Sequence, residues 1–396
     1  MKRLTAILSL CLSFAAAGAD FTESIMSGAF WSQTPRQFLQ GLRFNRPDNT
    51  QFRIQPGNIS IGSLTTGEVI ITVAEEKPVA LQVMVYNKGD DAAVAASLFK
   101  NTEKSTREAI EAMTGSRPRY QGAGKHGGII KTKVWDFVWN KGIIRMESSS
   151  SGSGRDFQGE FIRLHIAPDA ETLDSRNTSR AADKKQQSNH VTTEEDGTGW
   201  IKGIPMVDQG SKGYCVPATI SRVLGLYGIK VDQHVLAQIC DTESEKGTNG
   251  KNMLNAMNLV CKKYHTDLEI LADYESIVKP LIKPYNRIAK RERKPLVSYQ
   301  TYNVFSDMDP DILLQIRADK KHKVDKWLKQ IKKHIDRGTP IIWNIPDHVR
   351  LIIGYNLEKQ TIIYSDSWGE NHARSVMPAA NALAMTNGLF LLKNKQ

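Results

Sequence analysis

The sequence predicts an α+β protein in two parts, and three observations carry that prediction. Residues 216–227, VPATISRVLGLY, place Val216, Ile220, Val223, Leu224 and Tyr227 at helical spacing. Residues 340–365 contain three strand-like apolar runs, the last two separated by a polar turn. Residues 168–198 are polar and charged with almost no apolar content, which reads as a flexible linker. The length, about 375 residues once a leader is removed, fits two domains.

In chain order, the sequence opens Met-Lys-Arg, runs apolar from Leu4 to Ala17 and offers Ala17-Gly18-Ala19 before Asp20. That is the pattern of a secretory signal peptide over residues 1–19, cleaved after Ala19. The apolar run is too short to span a membrane, and no later run reaches the roughly 20 residues needed. The expectation is a secreted or periplasmic protein that is not transmembrane.

Residues 20–167 read as an N-terminal α+β domain of unknown role. Thr34 to Phe44 reads as a helix with Pro35 in its first turn. Strands are expected over 69–73, 79–86, 134–139, 143–147 and 160–166. A helix is expected over 91–113, with a break near Lys104-Ser105. Ser148 to Gly154 reads as a Ser/Gly loop, and His126, between glycines, as a loop residue. No catalytic or metal-binding constellation is legible here. This domain is expected either to inhibit as a segment released at the linker, or to bind substrate or a surface. The linker is placed at 168–198 and the catalytic domain at 199–396.

In that second domain Cys215 begins a helix that Gly228 stops. A helix N-terminus offers free amide N–H groups and a dipole that favours an anion, so a thiol there is activated. Gly210 and Gly213 precede it, and Gln209 stands six residues upstream with a side-chain amide for an oxyanion. Without Cys11 in the leader, three cysteines remain: Cys215, Cys240 and Cys261. An odd number marks one free thiol, and Cys215 is the candidate. Cys240 and Cys261, at the ends of helices over 233–239 and 252–263, either pair or stay as two buried thiols.

The base is read from His348, which opens a strand-like run, HVRLIIGY. A polar turn over 356–360 leads to TIIYS and then Asp366. In an antiparallel hairpin centred near Leu357, positions whose numbers sum to about 714 lie opposite each other, which pairs His348 with Asp366. Asp366 then fixes the imidazole while its other nitrogen faces the sulfur.

These residues resemble the papain-like cysteine peptidases. The Gln-x5-Cys spacing, the His followed by an apolar strand ending in Gly-Tyr, and Asp-Ser-Trp-Gly at 366–369 occur in that family's order. The likeness is closer to the bacteriocin-processing (double-glycine) peptidases, whose third member is usually Asp, and it covers about 200–396. It implies a domain with a helical part carrying the Cys and an antiparallel β part carrying His and Asp. It implies that Cys215 is the nucleophile, His348 the base and then the acid, and Asp366 the orienting group. Gln209 and the Cys215 N–H would form the oxyanion hole, and Trp368 would shield the His–Asp bond. Val216 departs from the pattern, where papain has Trp and many double-glycine peptidases have Gly; it is expected at the substrate groove wall.

The implied activity is an exported cysteine peptidase without cofactor or metal, acting on a peptide or protein. A silent peptide-binding module or a thiol acyltransferase on the same fold are the alternatives. The net charge of +11 favours acidic surfaces as partners. Seven lysines between Lys320 and Lys333 accompany an apolar stripe of Val324, Trp327, Leu328, Ile331 and Ile335. They read as the solvated face of a core-packed helix, and no nucleic-acid motif accompanies them.

Overall fold

The computed structural model describes residues 19–174 and 190–395, apart from 49, 65, 91–92, 127–129, 211, 244–246, 249, 299–306 and 319–322. The expected leader to Gly18, residues 175–189 of the expected linker, and Lys320 and Lys321 lie outside the described residues.

Residues that alternate apolar and polar pair into an antiparallel sheet of eight strands in the N-terminal half. Its order is Phe44–Asp48, Gln51–Ile54, Val69–Ala74, Lys77–Asn87, Gln158–Ala167, Gly142–Ser151, Ile130–Trp139, Arg119–His126. The inner face buries Ile71, Val83, Phe137, Ile144, Ile162 and Leu164, as period-2 alternation requires. Helix Ala96–Thr114 lays Phe99 and Ile110 on that core.

Several expectations are corrected. The helix after Thr34 is one turn, Pro35–Phe38, because a capping box between Thr34 and Gln37 starts it and a strand begins at Phe44. The long helix starts at Ala96 and has no break at Lys104-Ser105. His126 ends a strand. Ser148 to Ser151 continue a strand, because Ser148 donates to Glu103 Oε2 at 2.6 Å and Ser149 to Gln238 Oε1 at 2.8 Å. Within the span expected as linker, Ala170–Asp174 is helical with Leu173 buried, and Val191–Thr193 pairs with Gly199–Ile201.

The C-terminal half has helices around a second sheet. The strand His348–Asn356 is its hub, pairing with Ile341–Ile345, Thr361–Ser365 and Gly199–Ile201. Gly388–Asn394 lies between Ile341–Ile345 and Thr266–Ala272. Helix Cys215–Leu226 packs on it through Ile220, Val223 and Leu224, all fully buried. Helix Val324–Ile335 buries its apolar stripe in the same core, leaving its lysines on the other side. Among the described residues, no helix is long and apolar enough to cross a membrane.

Polar contacts join the halves. Arg163 Nη1 pairs with Asp232 at 2.8 Å, and the Tyr214 hydroxyl donates to Asn87 Oδ1 at 2.9 Å.

Candidate active site

Cys215 is the first residue of its helix, with Tyr214 as N-cap. Gly228 follows in the left-handed region, φ 76°, and stops the helix. The other two described cysteines are also unpaired. Burial raises the thiol pKa of Cys240 and of Cys261, so neither ionises readily near neutrality.

His348 Nε2 donates to Asp366 Oδ1 at 2.7 Å. The Cys215 thiol interacts with the same imidazole by hydrogen bond and charge. Burial pushes the imidazole pKa down, but the hydrogen bonds and charges of Asp366 and Cys215 outweigh it and raise it to about 9. Burial raises the Asp366 carboxyl, while His348, the Ser367 N–H and Arg350 together hold it below the usual carboxylate range. Thr219 Oγ1, in the helix that Cys215 begins, donates to the carbonyl of Val349, the residue after His348, at 3.4 Å.

The hairpin register differs from the expected one by two residues. Leu351 faces Ser365 and Ile352 faces Tyr364, with an irregularity before Gly354. The turn occupies 357–360, further along than assumed. Continuing that register brings Arg350 opposite Asp366, and Arg350 Nε pairs with Asp366 Oδ2 at 2.7 Å. His348 reaches the other carboxylate oxygen diagonally, a reach open to long side chains. Trp368 stacks on His348 with ring centroids 5.0 Å apart while staying 47% exposed.

Gln209 is buried. Its backbone N–H donates to the Ser367 carbonyl at 2.8 Å, tying the loop before Cys215 to the loop after Asp366. Its Nε2 donates to the Lys212 carbonyl at 3.2 Å, and Oε1 has no hydrogen-bond partner among the described residues. Val216, expected at the groove wall, is 2% exposed and belongs to the core.

Two residues escaped the sequence reading. Arg350 is one. The other is Arg222, 1% exposed in helix Cys215–Leu226. It donates to the carbonyls of Pro205 at 3.1 Å and Asp366 at 2.8 Å, and to Ser367 Oγ and Ser365 Oγ. Burial lowers its pKa to about 10, so it remains charged. Its signal was visible: an arginine inside an otherwise apolar helix has to be paired or hydrogen-bonded.

Residues 201–385 match the Peptidase_C39 like family. The matched span contains Gln209, Cys215, His348, Asp366 and Trp368, and the C-terminal half is therefore a peptidase-like domain of mixed α+β structure. A search of curated proteins gives no match to this chain. Among the described residues of the C39-like domain and its partner half, no group of three or more His, Cys, Asp or Glu is arranged to hold a metal ion.

Proposed function

We propose that this protein is an exported cysteine peptidase acting through Cys215, His348 and Asp366. The observation that carries the reading is the His348 imidazole held at 2.7 Å by Asp366 and interacting with the Cys215 thiol. The sulfur attacks a peptide carbonyl carbon, forming a C–S bond and an oxyanion. The Gln209 amide and the Cys215 N–H donate to that oxyanion. As the C–N bond breaks, His348 gives its proton to the leaving amine. Water then attacks the thioester, His348 takes its proton, and a carboxylate and the thiolate are released. Asp366 orients the imidazole and Trp368 covers one face of it. The division into an N-terminal domain, a linker and a catalytic domain belongs to this reading, as does the leader at 1–19.

Iodoacetamide tests it. Cys215 should be alkylated in the reduced, folded protein, and Cys215→Ala should remove that labelling. His348→Ala should slow peptide hydrolysis by about 100-fold or more. An unlabelled Cys215, or hydrolysis that persists in Cys215→Ala, would reject a thiol peptidase.

A further inference from the structure

The loop ahead of the nucleophile is held by the N-terminal sheet. Arg53 Nε pairs with Glu68 Oε1 at 2.6 Å, and its Nη1 with Asp208 Oδ1 at 2.9 Å. Arg53 Nη2 also donates to the Asp208 carbonyl at 2.6 Å. Lys212 Nζ pairs with the other oxygen of Glu68 at 2.6 Å. One carboxylate therefore takes both cations. Asp208 and Lys212 bracket Gln209, and the Lys212 carbonyl is the acceptor of the Gln209 amide.

All four side chains are buried. Asp90 Oδ2 also pairs with Lys212 Nζ, at 3.3 Å, and loss of any one of the buried charges leaves its partners uncompensated. Gly210, φ 69°, turns between them: a Cβ there would come within 3.1 Å of Arg53 Nη1. Burial pushes Glu68 up, but Lys212, Arg53 and His234 bring it down to about 2, so it is ionised throughout the neutral range. Cys215 nevertheless stays partly exposed. A cavity of about 370 Å³ between Trp368, Lys212 and residues Asn45 and Pro56 of the N-terminal half stays open. The sheet grips the loop without covering the nucleophile.

We propose that Glu68 and Arg53 are positioning residues for the Gln209 loop, making the N-terminal half a fixed part of the catalytic centre and not an inhibitory segment to be shed. This rests on the peptidase reading above. It predicts a separation between two reactions of Cys215. Alkylation by iodoacetamide forms no oxyanion; acylation by p-nitrophenyl acetate does.

The experiment compares both rates in the full chain. In Glu68→Gln, acylation should fall by about tenfold or more while alkylation stays within twofold. Arg53→Lys keeps the charge but loses the fork that holds Asp208, and should give the same separation if Glu68→Gln does not fold. Ser149→Ala, which removes a contact between the halves at Gln238, should change neither rate. Equal effects on both reactions, or none, in a folded Glu68 or Arg53 variant would overturn the proposal while leaving the peptidase reading intact. A wild-type protein whose Cys215 takes neither reagent would overturn both.

Discussion

A histidine raised to about 9 has consequences that pH can read. Its folded-state pKa exceeds the ordinary 6.5, so the charged imidazole contributes stability that is fully present below about pH 6.5 and lost as pH rises through about 9. In the proposed mechanism the same proton is the one given to the leaving amine. Peptide hydrolysis should therefore decline above about pH 9. Acylation by a p-nitrophenyl ester, whose leaving group needs no proton, should not decline there. In Asp366→Asn the imidazole loses its carboxylate partner, and the alkaline limit of hydrolysis should move to lower pH. An unmoved limit in a pH–rate profile would show that Asp366 does not set the charge of His348. The candidates Cys215, His348 and Asp366 could be singled out in the sequence because each stands in a short local motif. Arg350 was not, since its role depends on which residue the hairpin sets across from it.

At the scale of elements, the helix beginning at Cys215 and the strands around His348 were legible from periodicity alone. The register was not: turn length and a local irregularity displaced it, and neither has a residue signature as strong as Asn-Gly. Ser148 to Ser151 have little intrinsic preference for a strand and are held there by neighbours on both sides, an override by tertiary pairing. The Arg222 side chain joins two elements far apart in sequence, helix Cys215–Leu226 and the end of strand Thr361–Ser365. Arg222→Met should leave several carbonyl and hydroxyl acceptors without a donor. We expect a loss of stability on the order of 3 kcal/mol, read by urea denaturation. Hydrolysis should be slower even where the variant is folded. A variant as stable and as active as the unaltered chain would mean that the loop after Asp366 is held by other contacts.

Across the whole molecule, the contact between the halves was invisible to the sequence reading, which treated residues 20–167 and 199–396 as separable. Buried charges such as Glu68 and Arg53 look like surface residues until their partners in the other half, Lys212 and Asp208, are known. Gly89 offers a second test of that contact. A Cβ at Gly89 would lie 2.2 Å from the Tyr214 hydroxyl, and Tyr214 caps the helix that Cys215 starts. Gly89→Ala should displace that cap and slow alkylation and acylation of Cys215 together, by about tenfold, unlike the selective effect expected at Glu68. Unchanged rates in a folded Gly89→Ala protein would show that the cap tolerates the displacement.

Strand Gly388–Asn394 sits inside the C-terminal sheet, flanked on both sides, although it is the last strand in chain order. Strand Ile341–Ile345, which leads into His348, has that late segment as its neighbour. During synthesis the cysteine is therefore made long before the sheet that presents its histidine can close. A nascent chain therefore carries Cys215 well before strand Gly388–Asn394 exists to flank the strand that leads into His348.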